Sequence, residues 1–375
     1  MDGNGSGNGN GNGLPRVLWH RRVVQLVTAG VVVLIGIRFT LWVSAHLAGR
    51  TPTVRRPPGV EGFLPIDGML ALRHWLNAGR VDPVHPAALA IFLGICLMSL
   101  VLARSFCSSM CPVGLLSELL GRLGLKLTGG TLTPPRWIDI PLRGLKFLLL
   151  GFFAWAVWVV LDPRGVEAFL GSPYARVVDA KMWLFFASPS RLTITVIGIL
   201  VVVSVFVRDA WCRYLCPYGA LLGVLGLFSP LKVTRDASLC TDCRGCTRAC
   251  PARLPVHTMG RVRSIECSSC QDCVAACPVE GCLAVRPPLG VRRRIWLRPV
   301  VATAVAVGVY LAVVGLFRVT GHWETSVPES EYARRLPEIS SPLYTHVGGV
   351  AMAEEARAAP SFQGSRGEPP ASAGE

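Results

Sequence analysis

Apolar residues gather into five long runs, separated by segments rich in Arg, Gly and Pro. The runs are Val23–Ala45, Pro86–Ala103, Leu142–Leu161, Arg191–Val207 and Val300–Phe317. A helix needs about 17–25 apolar residues to cross the hydrocarbon core of a bilayer, so each run predicts a membrane-spanning helix. Arg191–Val207 sits at the short limit of that range. Val166–Phe186 is apolar in patches but broken by Pro173, Asp179 and Lys181, which predicts an interfacial or re-entrant segment and not a sixth span. The first run is too long for a cleaved signal and lacks a small-residue cleavage site, so it reads as a signal-anchor. Arg38 lies within that run. Snorkelling to the outer interface would satisfy it, and contact with a ligand inside the membrane is the sharper alternative.

Between the first two runs the pattern turns helical. Asp67 is a candidate cap and Gly79 a candidate stop, with Met69, Leu70, Leu72, Trp75 and Leu76 making one side apolar. This predicts a short helix on the outer interface, either packed on helix ends or closing a quinone-sized cleft. Composition supports the membrane reading: 51% of residues are hydrophobic and 16% charged. The net charge of +15 would suggest nucleic acid in a soluble chain, but no nucleic-acid motif accompanies it. With the N-terminus inside, the inner segments carry 23 Lys and Arg and the outer segments 14, which places the long cysteine-rich loop in the cytoplasm. Residues 1–13 are of low complexity and predict a disordered tail.

With two C-x2-C-x2-C-x3-C-P runs between Cys240 and Cys277, the fold class is an α-helical integral membrane protein of about five transmembrane helices with an α+β, two-cluster ferredoxin-like cytoplasmic insert. The expected division is a tail over 1–22, a membrane domain with four helices over 23–233 and the insert over 234–290. A fifth helix over 295–318 and an extracytoplasmic tail over 319–375 complete it. The insert is read from its cysteines. Cys240, Cys243, Cys246 and Cys250 form a C-x2-C-x2-C-x3-C-P run, repeated by Cys267, Cys270, Cys273 and Cys277. Three thiolates on a tight loop reach three irons of one cube, and in two-cluster ferredoxins the fourth cysteine of each run serves the other cluster. One [4Fe–4S] cluster is thus assigned to Cys240, Cys243, Cys246 and Cys277, the other to Cys267, Cys270, Cys273 and Cys250. Paired zinc knuckles would leave the third cysteine of each triplet and both Cys-Pro steps unexplained.

A second cysteine pattern occurs twice. C-x3-C-P-x-G-x-L-x4-G runs from Cys107 to Gly121 and again from Cys212 to Gly226, each directly after an apolar run, which marks an internal duplication. Pro112 and Pro217 suit the first position of a helix, so Cys111 and Cys216 are expected at helix N-termini, where the dipole favours thiolate. Cys107, Cys111, Cys212 and Cys216 are candidates for a redox dithiol, for an additional metal or cluster site, or for buried structural cysteines. Cys96 and Cys282 read as structural. No C-x2-C-H haem motif, Walker motif or catalytic triad is present. His46, His74 and His85 cluster in the outer region and read as surface groups.

The order of spans, two C-x3-C-P motifs and two ferredoxin runs resembles the membrane-bound polyferredoxins of the NapH type, a group that includes NosR-type and CcoG-type chains. Glu61–Ile66 (E-G-F-L-P-I), Val81–Pro86 (V-D-P-V-H-P) and Ser105–Gly114 resemble a YccM-like branch. The resemblance implies electron transfer at the cytoplasmic membrane through two [4Fe–4S] clusters held by the eight ferredoxin cysteines. It departs from the group in lacking an FMN-binding domain of the NosR kind and an immunoglobulin-like C-terminal domain of the CcoG kind. It also has five expected spans where NapH-type chains have four. The expected partners are the lipid bilayer, the quinone pool or a cytoplasmic ferredoxin- or flavodoxin-like donor, and a partner redox protein; quinone or quinol is a further candidate cofactor. Arg235, Arg244, Arg248, Arg253, Arg261 and Arg263 would attract an acidic carrier. The chain reads as an electron-transfer component of an oxidoreductase system. An assembly factor that reduces a metal ion or disulfide, and a redox-sensing regulator, are the alternatives.

Overall fold

The computed structural model describes residues 19–129, 132, 134–287 and 297–344. The tail expected at 1–13 and the part of the outer tail beyond 344 lie outside the described residues. The described chain is mostly helical. It opens with α1 (Trp19–Leu47), α2 (Pro65–Ala78), α3 (Pro86–Val101), α4 (Ser105–Ser109) and α5 (Pro112–Thr128). It continues with α6 (Arg136–Trp155), which runs on into a π turn at Ala156–Val160, then α7 (Pro163–Leu170), α8 (Val178–Ala187), α9 (Arg191–Phe206) and α10 (Pro217–Leu227). The insert contributes β1 (Lys232–Arg235), α11 (Gly245–Ala249), α12 (Asp272–Ala275) and β2 (Leu283–Arg286). The chain then forms α13 (Pro299–Val319) and α14 (Glu329–Arg335).

Among the described residues three helices are long and apolar enough to cross a membrane: Trp19–Leu47, Trp137–Val160 and Pro299–Val319. Ala175–Ala187 and Arg191–Phe206 form an apolar pair bent by 75°, a broken span or a re-entrant loop that brings the total to as many as four. The run expected at Pro86–Ala103 is a helix of 16 residues, or about 24 Å at 1.5 Å per residue. Eleven of those residues are buried, so α3 is the central strut around which α2, α10 and α13 pack. The run lost length because Ala103 turns left-handed (φ 41°) and ends the helix before the first C-x3-C motif. On α9, by contrast, Ser204 is the one buried residue, as suits a lipid-facing surface.

The outer helix α2 ends at Gly79 in the left-handed conformation, as expected, but its start is set by Pro65 and not by an Asp67 cap. Asp67 is buried in the first turn, while Trp75 and Leu76 remain exposed. Arg38 is exposed on α1. His85 and His46 are buried and not on the surface. His85 donates from Nε2 to the Ala175 carbonyl at 2.7 Å, and His46 meets Glu329 at 2.8 Å. Around His85, Arg56 pairs with Asp179 at 2.7 Å and Glu61 at 2.9 Å, which ties α3, α8 and the loop before α2 into one buried network.

In the insert, β1 and β2 pair antiparallel, with Val233 opposite Val285 and Thr234 opposite Ala284. Their apolar residues join Met98, Leu102, Ala302 and Ala306 of the membrane helices in one continuous core. The cysteine-rich insert therefore packs on the helix ends.

Candidate functional site

Tight loops carry the ferredoxin cysteines, and their backbones repeat each other. Asp242 and Arg244 flank Cys243 with φ of 56° and 57°, and Ser269 and Gln271 flank Cys270 with φ of 49° and 64°. Left-handed backbone costs a residue other than glycine about 1–3 kcal/mol, so four such positions persist where the surroundings dictate them. The turn aims main-chain N–H groups at sulfur. The Asp242 N–H bonds the Cys240 thiol, and the Ser269 N–H bonds that of Cys267. Such concave arrays of N–H groups favour anions, which is what a thiolate-ligated cluster is.

Two cavities sort the eight cysteines. One is lined by Cys250, Cys267, Cys270 and Cys273. The other is lined by Cys240, Cys243, Cys246 and Cys277. Each cavity thus takes three cysteines from one run and the fourth from the other. Cys282 also borders the second cavity, and its thiol faces Cys277 and Cys240; no spacing signal pointed to it. Among the described residues no group of three or more His, Cys, Asp or Glu is gathered tightly enough for a single metal ion. Cluster ligands bind different corner irons and stand farther apart than the ligands of one ion, so the cavities fit cubes better than zinc.

The two C-x3-C-P motifs come together at the helix ends. Cys111 and Cys216 are the N-caps of α5 and α10, with Pro112 and Pro217 as first helical residues. Each motif closes with the same wide turn: the Cys111 N–H donates to the Phe106 carbonyl at 2.9 Å, and the Cys216 N–H to that of Trp211 at 3.0 Å. The Gly219 N–H donates to the Cys216 sulfur at 3.2 Å. The helix termini do not lower these thiols. Burial and the neighbouring Cys107 push Cys111 up to about 12, outweighing the N–H groups of Gly114 and Val113. Burial, followed by Cys216, Cys111 and Cys107, raises Cys212 as well. The dipole expectation fails because four thiols crowd one dry site.

Between this quartet and the insert lies a cavity lined by Cys107, Cys212 and Cys270 together with Arg21, Arg104 and Arg208. Ion pairs close it. Arg21 binds Asp272 at 2.9 Å and Glu118 at 3.1 Å, and Arg22 also reaches Glu118. Glu266 of the insert receives Lys146 at 2.6 Å and Arg104 at 3.6 Å. The Arg104 side chain also faces the Cys107 and Cys212 thiols.

Comparison with known proteins finds iron–sulfur relatives. A 4Fe-4S binding domain model matches residues 84–129 and 191–235, and a 4Fe-4S dicluster domain model matches 232–278. The chain is 41% identical over 329 residues to YccM of Escherichia coli (strain K12), a protein named for electron transport; the match covers 87% of this chain and 91% of that one. It is 29% identical over 199 residues to the methylamine utilization ferredoxin-type protein MauN of Methylobacillus flagellatus, covering 51% of this chain and 62% of MauN. It is 32% identical over 175 residues to the regulatory protein NosR of Pseudomonas aeruginosa, covering 43% of this chain and 22% of NosR. No solved structure matches the chain.

Proposed function

Because the chain belongs to the NapH/NosR-type ferredoxin family, on the YccM branch, we propose that it is a membrane-bound iron–sulfur electron carrier with two [4Fe–4S] clusters in its insert. The observation that carries this reading is the crossed sorting of cysteines between the two insert cavities. Cys240, Cys243, Cys246 and Cys277 hold one cluster, and Cys267, Cys270, Cys273 and Cys250 the other. Such clusters supply one-electron transfer at potentials set by charge, hydrogen bonding and exposure. The residues divide that work. The Asp242 and Ser269 N–H groups donate to ligand sulfurs, and Cys246 and Cys273 are buried. Cys243 is exposed beside Arg244 and Arg248, which makes this edge the approach for an acidic soluble partner.

The membrane side is assigned to the quinone pool. Its support is the apolar and aromatic lining of Cys96, Phe106, Tyr218 and Tyr310 packed beside Cys107, and the opening of the quartet toward Cys270. The domains are assigned as a membrane domain over 23–233, an insert over 234–290 and a last span over 295–318. In this reading α3 and α9 complete five crossings, and the N-terminus and insert are cytoplasmic. Arg21, Arg104, Arg208 and Arg213 lie at the face where the insert docks, as the positive-inside tendency requires.

Low-temperature EPR of anaerobically purified protein tests the ligand sets. Cys250→Ser is expected to remove the same signal as Cys267→Ser, and Cys277→Ser the same signal as Cys240→Ser. Pairing within each run would overturn the crossed assignment, and the absence of any cubane signal would overturn the function.

A further inference from the structure

The duplicated C-x3-C-P segments pack on each other reciprocally. Positions in the two copies correspond at a constant spacing, so Cys107 matches Cys212, Gly121 matches Gly226 and Ala103 matches Arg208. A Cβ placed on Gly121 would lie 3.3 Å from the side chain of Arg208, in the second copy. One placed on Gly226 would lie 3.1 Å from the Cα of Ala103, the matching residue of the first copy. Each copy thus presents the same glycine to the same position of the other, the self-complementary relation of a two-fold interface built within one chain. The glycines of the P-x-G step serve the motif itself. A Cβ on Gly114 would fall 2.3 Å from the Cys107 carbonyl oxygen, and one on Gly219 would fall 3.5 Å from the Cys216 sulfur.

At the centre of this arrangement are four thiols, none of them in a disulfide, and each of the two helices α5 and α10 starts at one of them. Several groups around the thiols favour an anion. Two helix N-termini point into the site, and buried Arg104, which faces Cys107 and Cys212, has no hydrogen-bond partner for its Nε among the described residues. The four sulfurs are not gathered as a single-ion site. Neither matched 4Fe-4S segment can complete a cube from its own cysteines. Residues 84–129 contain Cys96, Cys107 and Cys111, and residues 191–235 contain Cys212 and Cys216. Together the two motifs supply four.

We propose that Cys107, Cys111, Cys212 and Cys216 hold a third [4Fe–4S] cluster, shared between the two copies at their pseudo-two-fold interface. The proposal extends the iron–sulfur reading above and rests on it. The site stands between the apolar lining around Cys96 and Tyr218 and the cavity bordered by Cys270, so it neighbours the ligand set of Cys250, Cys267, Cys270 and Cys273. The set of Cys240, Cys243, Cys246 and Cys277 does not border that cavity, and its Cys243 is exposed.

Iron and acid-labile sulfide counts on the anaerobic full-length protein test it, together with Mössbauer spectra. The expected content is about 12 iron atoms per chain, three cubes of four. About 8 would overturn the third site while leaving both insert clusters standing, and about 4 or fewer would overturn the reading beneath it. About 10 would mean a two-iron cluster and would overturn the cube as stated. Cys107→Ala combined with Cys212→Ala is expected to remove about 4 iron atoms and keep the EPR signals sensitive to Cys240→Ser and Cys267→Ser. Unchanged iron in that variant would overturn the proposal. If it does not fold, the count on the unsubstituted chain decides.

Discussion

Single side chains show where burial overrides local expectation. Asp67 is enclosed in the outer network, where burial, partly offset by His85, raises its carboxyl to about 7. A carboxyl whose folded value lies above its unfolded one binds more protons in the folded state. Its contribution to stability is therefore largest below about pH 4 and is lost as pH rises toward about 7. The full difference amounts to about 4 kcal/mol at most. Asp67→Asn is expected to raise the melting temperature in detergent at pH 8 and to flatten its fall between pH 4 and 7; a variant that melts lower at pH 8 would refute this. Glu266 is the opposite case, since it neutralises buried Lys146 and Arg104 together. Glu266→Gln should cost about 3–5 kcal/mol because two cations lose their partner, which a loss of folded yield or an earlier melt would reveal. The grouping of the eight insert cysteines around two cavities was legible at this scale because iron–sulfur chemistry imposes a spacing on the chain. Asp67, His85 and Cys282 were not, because their surroundings come from residues distant in sequence.

At the scale of elements, glycine decides which helices touch. A Cβ on Gly124 of α5 would fall 1.8 Å from the Val205 carbonyl oxygen of α9, whereas Gly144 of α6 has nothing within 4 Å. Gly124→Ala should destabilise the protein by about 1–3 kcal/mol through forced separation of α5 and α9. Gly144→Ala should be neutral, or stabilising by up to about 1 kcal/mol from helix propensity. Thermal melts of the two variants side by side check the contrast, and equal effects would refute the packing account. Hydropathy located every long apolar helix but judged their lengths less well. It registers that a residue is apolar, and not whether lipid or protein covers it. So α3 reads as a plain apolar run although α2, α10 and α13 enclose it, and the pattern marks a broken or re-entrant segment before α9 without giving its 75° bend.

Across the whole molecule, the insert is fastened to the helix ends both by a shared apolar core and by ion pairs, Arg21 with Asp272 and Lys146 with Glu266. Buried pairs are screened little by salt, so docking of the insert should survive high ionic strength. The exposed basic edge behaves differently. Electron exchange with a small acidic carrier should slow steeply as salt rises, and Arg244→Glu with Arg248→Glu should slow it at low salt by at least about tenfold. Stopped-flow measurements over a range of ionic strengths would show this, and a rate indifferent to both salt and charge would place the partner surface elsewhere.

What the amino-acid sequence determined alone was whatever chemistry writes locally: thiolate spacing for iron–sulfur sites, apolar runs for membrane helices, proline and cysteine at the starts of α5 and α10, and the duplication itself. Only the tertiary structure decided which distant parts meet. It set two copies of one motif face to face through Gly121 and Gly226, and brought Cys270 to the same cavity as Cys107 and Cys212. The physical reason is that ligand spacing and hydropathy act over a few residues. The contacts that join the sites depend on the close packing of helices more than 100 residues apart in sequence.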